Sequence, residues 1–160
     1  MLATSWGRTV VLALGAAATR VVLGELVISP LAERFWPPAA EARIFNSVAG
    51  NLKQALLGLL LVWTFAGFGE EIAYRGYLLN RAADLGLRSR LADWASVLAV
   101  SVLFGYGHFY KGPAGVLDSS FAGLVLGAAY LLSGRNLWVC ILAHGFIDTF
   151  AVLGAYLGWK

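Results

Sequence analysis

The sequence has little cysteine, little proline and few charged residues, and these shortages exclude several classes of protein. It has one cysteine, Cys140, and four prolines among 160 residues, and only 13% of its residues are charged. A single cysteine excludes an internal disulfide and any CxxC metal or redox site. The net charge of +3 is modest and, spread over short loops, suggests orientation in a membrane rather than nucleic-acid binding.

Apolar residues are abundant instead. They make up 59% of the chain, and the mean hydropathy is +0.73. A soluble domain is typically about 45–50% apolar and about 25% charged. The composition therefore predicts an integral membrane protein in contact with the lipid bilayer. The length predicts a single membrane domain over residues 1–160.

Five apolar segments predict an all-α, polytopic membrane helical bundle, since a bilayer core requires about 20 mostly apolar residues per helix. The second segment is much longer than this, so we expect it to be tilted or to protrude from the bilayer. The first segment is expected to end at Ser29-Pro30, because proline stops a helix. The segments run from about Thr9 to Ile28, Ser47 to beyond Leu79, Leu91 to Phe109, Val116 to Leu132 and Leu137 to Leu157.

The first segment also resembles a cleaved signal peptide, because Arg8 precedes an apolar run and the residues GAAAT. Apolar residues resume after Arg20, which favours a retained membrane span. Arginines cluster after the second segment, at Arg81, Arg88 and Arg90, and this cluster favours a cytoplasmic N-terminus. The Ala-, Gly-, Leu- and Arg-rich composition is typical of a bacterial chain, so we expect the inner membrane.

Three groups of polar residues lie inside the apolar segments. Carboxylates are among the most expensive groups to place in a bilayer, and intramembrane ionisable residues are candidates for a functional site. Both histidines of the chain fall in these groups, on separate predicted helices. Together the groups predict one shared site. They are Glu70, Glu71 and Arg75 in GEEIAYRG, Phe104 and His108 in FGYGH, and His144 and Asp148 in HGFID.

Helix geometry divides the first group into roles. Glu71 and Arg75 are four residues apart with the glutamate first, which is the favourable order for an ion pair on one helix face. Glu70 is rotated by about 100° from Glu71, so it lacks this partner and is the candidate general base. Glu70 reaches His108 only if the second helix continues unbroken through Arg75.

Helical spacing also suggests roles for the residues of the other two groups. His144 and Asp148 are also four residues apart, so the carboxylate is placed to orient the imidazole or share its work. Phe104 lies one turn before His108 and is expected to shield that histidine.

The three motifs, EExxxR, FxxxH and HxxxD in this order, resemble the CAAX-protease and bacteriocin-processing family of intramembrane endopeptidases. The resemblance covers about Gly50 to Leu153. It implies that Glu70 and His108 activate a water molecule, while His144 and Asp148 bind the tetrahedral intermediate. The chain departs from the family in being short. Asp148 also stands where the prenyl endopeptidases have asparagine, and an ionised aspartate cannot donate a hydrogen bond.

Metal dependence is left open by the residues. Glu70, His108, His144 and Asp148 could bind zinc, but the helical zinc motif HExxH is absent. We therefore favour a glutamate mechanism without a cofactor.

We expect an intramembrane endopeptidase whose partner is a peptide or membrane-protein substrate, with a C-terminal tail as one form. The alternatives are a non-catalytic immunity or scaffold protein and a small proton-coupled transporter, because glutamate and histidine in membrane spans also mark ion paths. The sequence leaves the oligomeric state open.

Overall fold

The computed structural model describes residues 5–36, 47–86 and 88–159, and these residues form helices and connecting turns with no strand among them. The predicted all-α bundle is confirmed. A short 3₁₀ turn, Phe109–Lys111, lies between the third and fourth helices. The five long helices are α1 (Trp6–Phe35), α2 (Leu52–Leu85), α3 (Arg90–Gly107), α4 (Gly112–Leu132) and α5 (Leu137–Leu157).

Four helical segments of the described chain are long and apolar enough to cross a membrane. They are α1, α2, α5 and Phe109–Leu132, which is α4 with its preceding turn. The sequence also predicts a span at α3, but this helix is not among the four, and its first turn carries Arg90 and Asp93. Large apolar side chains cover much of the surface. The protein is therefore an integral membrane protein.

Polar side chains set the beginnings of four helices. Ser5, Asn51, Ser89 and Asn136 each accept a hydrogen bond from a backbone N–H in the first turn of the helix that follows. Each such cap contributes about 1 kcal/mol to helix stability. The helix starts thus follow local sequence signals.

The prediction that the first helix ends at Ser29-Pro30 is wrong, because α1 continues to Phe35. The segment Gly24–Ile28 is π-helical, and the Ser29 N–H donates to the Gly24 carbonyl five residues earlier. A proline normally stops a helix because its ring clashes with the carbonyl four residues before it. The wider turn relieves this clash, so the helix passes through Pro30.

Small residues allow α3 and α4 to approach closely. A Cβ atom added to Gly123 would lie 2.9 Å from the Ser101 Cα, and one added to Gly127 would lie 2.8 Å from the Val97 Cγ1. The GxxxG spacing of these glycines therefore serves packing inside the chain, as small residues do at membrane helix contacts. Both helices contribute to the wall of the site described below.

Helices α2 and α5 run antiparallel and touch along most of their length. One of these contacts is a hydrogen bond of 3.1 Å from the Trp63 Nε1 to the Thr149 Oγ1. This pairing brings the middle of α2, with Glu70 and Glu71, to the level of His144. Along α2 the contacts are Gly58 with Val152, Trp63 with Thr149, Gly67 with Gly145 and Gly76 with Leu137.

Candidate active site

A cavity of about 330 Å³ lies between the helices at the level of the polar motifs. Glu70 from α2, His108 from the end of α3, and His144 and Asp148 from α5 all line it. The structure therefore brings the four predicted catalytic residues to one cavity. Phe104, predicted to shield His108, lines the same cavity.

The glutamate pair lies where two π-helical segments of α2 meet. Val62–Glu70 forms the first segment, Glu71 follows, and Ile72–Leu78 forms the second. The sequence predicts ordinary α-helical geometry here, and the structure differs, although α2 remains continuous from Leu52 to Leu85. π-helical turns occur frequently at functional sites. The continuity that a shared site requires is present.

Glu71 is fully buried, and its carboxylate contacts both Arg75 and His144. Its Oε1 lies 2.5 Å from the Arg75 Nη1 and 2.7 Å from the His144 Nδ1. Arg75, only 1% exposed, also donates from Nη2 to the Gly123 carbonyl at 3.2 Å. The predicted Glu71–Arg75 pair is present. The link from Glu71 to His144 is an addition that spacing along one helix could not reveal.

Phe104 packs between the two histidines. Its ring centroid is 4.7 Å from that of His108 and 6.0 Å from that of His144. The Arg75 guanidinium carbon lies 4.7 Å from the same centroid, within the range of a cation–π contact. Phe104 thus holds His108, His144 and Arg75 in a fixed arrangement.

A backbone carbonyl defines the tautomer of His108. The His108 Nδ1 lies 2.8 Å from the Phe104 carbonyl oxygen. A carbonyl only accepts hydrogen bonds, so Nδ1 carries the proton. In the neutral imidazole the other nitrogen, Nε2, then has a free lone pair and can accept a proton or a hydrogen bond.

Glu71, rather than Asp148, holds the imidazole of His144. The His144 Nδ1 is 2.7 Å from the Glu71 Oε1, whereas the His144 Nε2 is 3.6 Å from the Asp148 Oδ2. A separation of 3.6 Å is too long for a hydrogen bond. Asp148 is therefore close to His144 without a direct bond, and the expected orienting role belongs to Glu71.

Glu70 has an uncommitted carboxylate oxygen. Its Oε2 is buried and has no hydrogen-bond partner among the residues that the structure describes. The residue faces the cavity while its neighbour Glu71 is buried in the ion pair. The two glutamates therefore have different environments, as the sequence predicts.

Three further charged residues line the cavity: Arg20 from α1, Lys111 from the 3₁₀ turn, and Asp118 from α4. In the sequence Arg20 is only a charge that interrupts an apolar segment, and neither Lys111 nor Asp118 has a predicted role. A charge within an apolar span was the available signal for Arg20. Its partner could not be inferred, because Asp118 lies far away in the sequence.

The four candidate zinc ligands, Glu70, His108, His144 and Asp148, line one cavity. Zinc in proteins is held by three or four converging protein ligands. Within residues 5–36, 47–86 and 88–159, no three His, Cys, Asp or Glu side chains are arranged to hold a metal ion. The Nδ1 atoms of both histidines bond the Phe104 carbonyl and Glu71, which leaves Nε2 as the nitrogen of each ring that could bind another group.

The fold and the site define a polytopic α-helical membrane protein with a cavity between its helices that several ionisable side chains line. Residues 52–150 match the family described as type II CAAX prenyl endopeptidase Rce1-like, and the chain belongs to this family. No curated protein and no solved structure matches the chain. The matched region contains Glu70, His108, His144 and Asp148 but begins after α1, and therefore excludes Arg20.

Proposed function

We propose that the protein is an intramembrane endopeptidase in which Glu70 and His108 activate a water molecule. The observation that supports this proposal is the cavity that Glu70 and His108 share. There Glu70 offers a carboxylate oxygen without a partner, and His108 offers the lone pair of Nε2. Family membership supports the same reaction class.

The reaction balances with these groups alone. Glu70 takes a proton from the water as the water oxygen attacks the carbonyl carbon of the peptide, and His108 accepts a hydrogen bond from the same water. The resulting tetrahedral intermediate carries the negative charge on the former carbonyl oxygen. Glu70 then returns the proton to the leaving nitrogen as the carbon–nitrogen bond breaks. A general base of this kind contributes about 10²–10⁴-fold to the rate.

His144 is proposed to bind the oxyanion of this intermediate, and Asp148 is proposed to assist it in the protonated form, because an ionised aspartate cannot donate a hydrogen bond. The His144 Nδ1 is engaged with Glu71, so only Nε2 can face the substrate. To donate a hydrogen bond from Nε2, His144 must carry both protons, and the adjacent Glu71 carboxylate stabilises that form. This arrangement follows the logic by which a buried carboxylate orients and stabilises a catalytic imidazolium.

We propose a membrane-associated peptide or protein as the substrate, a reaction without a metal cofactor, and residence in a bacterial inner membrane. The site lies within membrane-spanning helices, so the scissile bond must enter the bundle. The composition supports a bacterial source, and the donor arrangement supports a reaction without zinc.

Replacing Glu70 by glutamine tests the proposed activity. We expect Glu70→Gln to reduce cleavage by about 10²-fold or more, because glutamine cannot accept the proton from water. The measurement is a mass-spectrometric comparison of protein termini in cells that carry the wild type, Glu70→Gln or no copy of the chain. Glu33→Gln, a change at an exposed glutamate of α1, is the control and should leave the termini unchanged.

Thermal unfolding of the purified variants completes this test. Glu70 makes no ion pair among the described residues, so we expect its replacement to leave the unfolding midpoint nearly unchanged. A large loss of stability in Glu70→Gln would favour the scaffold alternative. Termini that are the same with and without the chain would refute the peptidase proposal.

A further inference from the structure

Helix α1, which lies outside the matched residues, contributes an arginine to the cavity. The Arg20 Nη2 lies 2.6 Å from the Asp118 Oδ2 of α4, and the Arg20 side chain is 12% exposed. A charge in an apolar membrane helix is costly, and such residues face the bundle interior or a cavity. The proposed water activation by Glu70 and His108 assigns no role to Arg20.

The ion pair leaves hydrogen-bonding capacity on both partners. The Arg20 Nε and the Asp118 Oδ1 are buried and have no hydrogen-bond partner in the described part of the chain. An arginine–carboxylate pair with two parallel hydrogen bonds would use two atoms of each group, whereas this pair uses one. The guanidinium can therefore bind a second acceptor without leaving Asp118.

The local structure of α1 makes room for the guanidinium. A Cβ atom at Gly24 would overlap the Arg20 Nη1 and would lie 3.8 Å from the Asp118 Oδ1. Gly24 opens the π-helical segment Gly24–Ile28 and is buried. The absence of a side chain at this position allows the Arg20 side chain to lie along the helix over Gly24, toward Asp118 and the cavity.

The two cations of this wall can attract an anion locally. Arg20 and Lys111 are cationic and Asp118 is anionic, and Asp148 of α5, which faces both cations across the cavity, offsets their positive potential when it is ionised. The proposed catalytic carboxylate, Glu70, lies on another helix of the same cavity. A peptide that spans the cavity thus meets a cationic wall and the proposed catalytic residues at once.

We propose that Arg20 and Lys111 form a subsite for a carboxylate of the substrate, which rests on the proposed peptidase function. The carboxylate binds the uncommitted donors of Arg20 while Asp118 keeps the guanidinium in place. Its source is the C-terminus of the substrate or an acidic side chain near the scissile bond. A substrate without this carboxylate leaves buried donors unpaired, and such a mismatch discriminates strongly between ligands.

Isothermal titration calorimetry in detergent micelles tests the subsite without requiring cleavage. The protein carries Glu70→Gln, so that no peptide is hydrolysed. The probes are N-acetyl-Leu-Leu-Ala with a free carboxylate, the same peptide as its C-terminal amide, and N-acetyl-Leu-Leu-Glu amide. We expect the free carboxylate to bind about tenfold or more tightly than the Ala amide, which corresponds to one charge-assisted contact of about 1.4 kcal/mol.

Variants assign this preference to the subsite. Arg20→Gln in the same background should bind the acid and the amide equally, and Arg20→Lys should keep part of the preference. Arg8→Gln, at an exposed arginine of α1 outside the cavity, should leave the preference unchanged. Tight binding of the Glu amide would identify an acidic side chain as a second source of the carboxylate.

Two further variants test the subsite in case Arg20→Gln does not fold. Arg20→Gln/Asp118→Asn removes both charges and leaves no unpaired carboxylate, while Lys111→Met weakens the subsite and keeps the Arg20–Asp118 pair. Both should reduce the preference for the acid. Equal affinity of the starting protein for all three peptides would overturn the proposal, as would a preference that survives Arg20→Gln. Neither result depends on whether the protein cleaves peptides.

Discussion

Adjacent glutamates in α2 have different surroundings, and the proposed function assigns them different tasks. Glu70 faces the cavity with an uncommitted oxygen, and Glu71 is buried against Arg75 and His144. The spacing of Glu71 and Arg75 within one helix predicts half of this arrangement. The contact with His144 depends on how α2 packs against α5, and a periodicity argument contains no such information.

Replacing Glu71 should destabilise the folded protein, whereas replacing Glu70 should not. Glu71→Gln leaves the buried Arg75 without its charged partner, and breaking a buried pair costs about 3–5 kcal/mol. We expect a clear fall in the thermal unfolding midpoint in detergent. By contrast, Glu70→Gln should be nearly as stable as the wild type.

A double variant separates stability from positioning at the same residue. In Glu71→Gln/Arg75→Met no unpaired charge remains in the core, so the unfolding midpoint should recover much of the loss. Cleavage should stay low, because glutamine can still accept a hydrogen bond from the His144 Nδ1 but supplies no negative charge to stabilise the doubly protonated imidazole. Recovery of both stability and cleavage would show that the charge of Glu71 has no role in the reaction.

Some features of the helices follow from the sequence, and others do not. The bounds of α5, Leu137–Leu157, are those predicted, since an apolar run lies between Asn136 and Gly158, which cap the helix. The sequence does not predict the π-helical segments of α1 and α2, because apolar periodicity does not distinguish a wider turn. For the same reason it does not predict that α1 continues through Pro30.

The contact between α3 and α4 gives a prediction about packing. In Gly123→Leu the new side chain meets the Ser101 backbone and pushes the helices apart, where Arg75 also bonds the Gly123 carbonyl. We expect a loss of about 1–3 kcal/mol, typical of overpacking, measured as a lower unfolding midpoint. Gly15→Leu is the matched control, since a Cβ at Gly15 meets nothing within 4 Å. An equal effect of both changes would contradict this account.

The whole molecule assembles its site from residues that are distant in sequence. Helices α2, α3 and α5 supply the four proposed catalytic residues, while α1 and α4 supply the Arg20–Asp118 pair. The motifs predict which residues take part, because charges are costly in lipid. They do not predict the cationic wall, since the pairing of α1 with α4 has no local signal.

The two ends of the bundle carry different residues, so an experiment can assign each end to one side of the membrane. Trp6 and Trp138 meet at one end, with ring centroids 5.6 Å apart, and this end includes Arg135. At the other end the Gly50 N–H donates to the Tyr156 carbonyl. The basic end should face the cytoplasm, because positively charged loops are retained there.

Single cysteines at the two ends of α2 test this orientation. Leu52 and Leu85 are both exposed, whereas the native Cys140 is fully buried, so the wild type serves as the unlabelled control. A membrane-impermeant maleimide added to intact spheroplasts should label Leu52→Cys and leave Leu85→Cys unlabelled, with the reverse in inside-out vesicles. Labelling of both from one side would mean that α2 does not cross the bilayer. The opposite labelling pattern would invert the orientation and place the basic end outside, against the distribution of arginines.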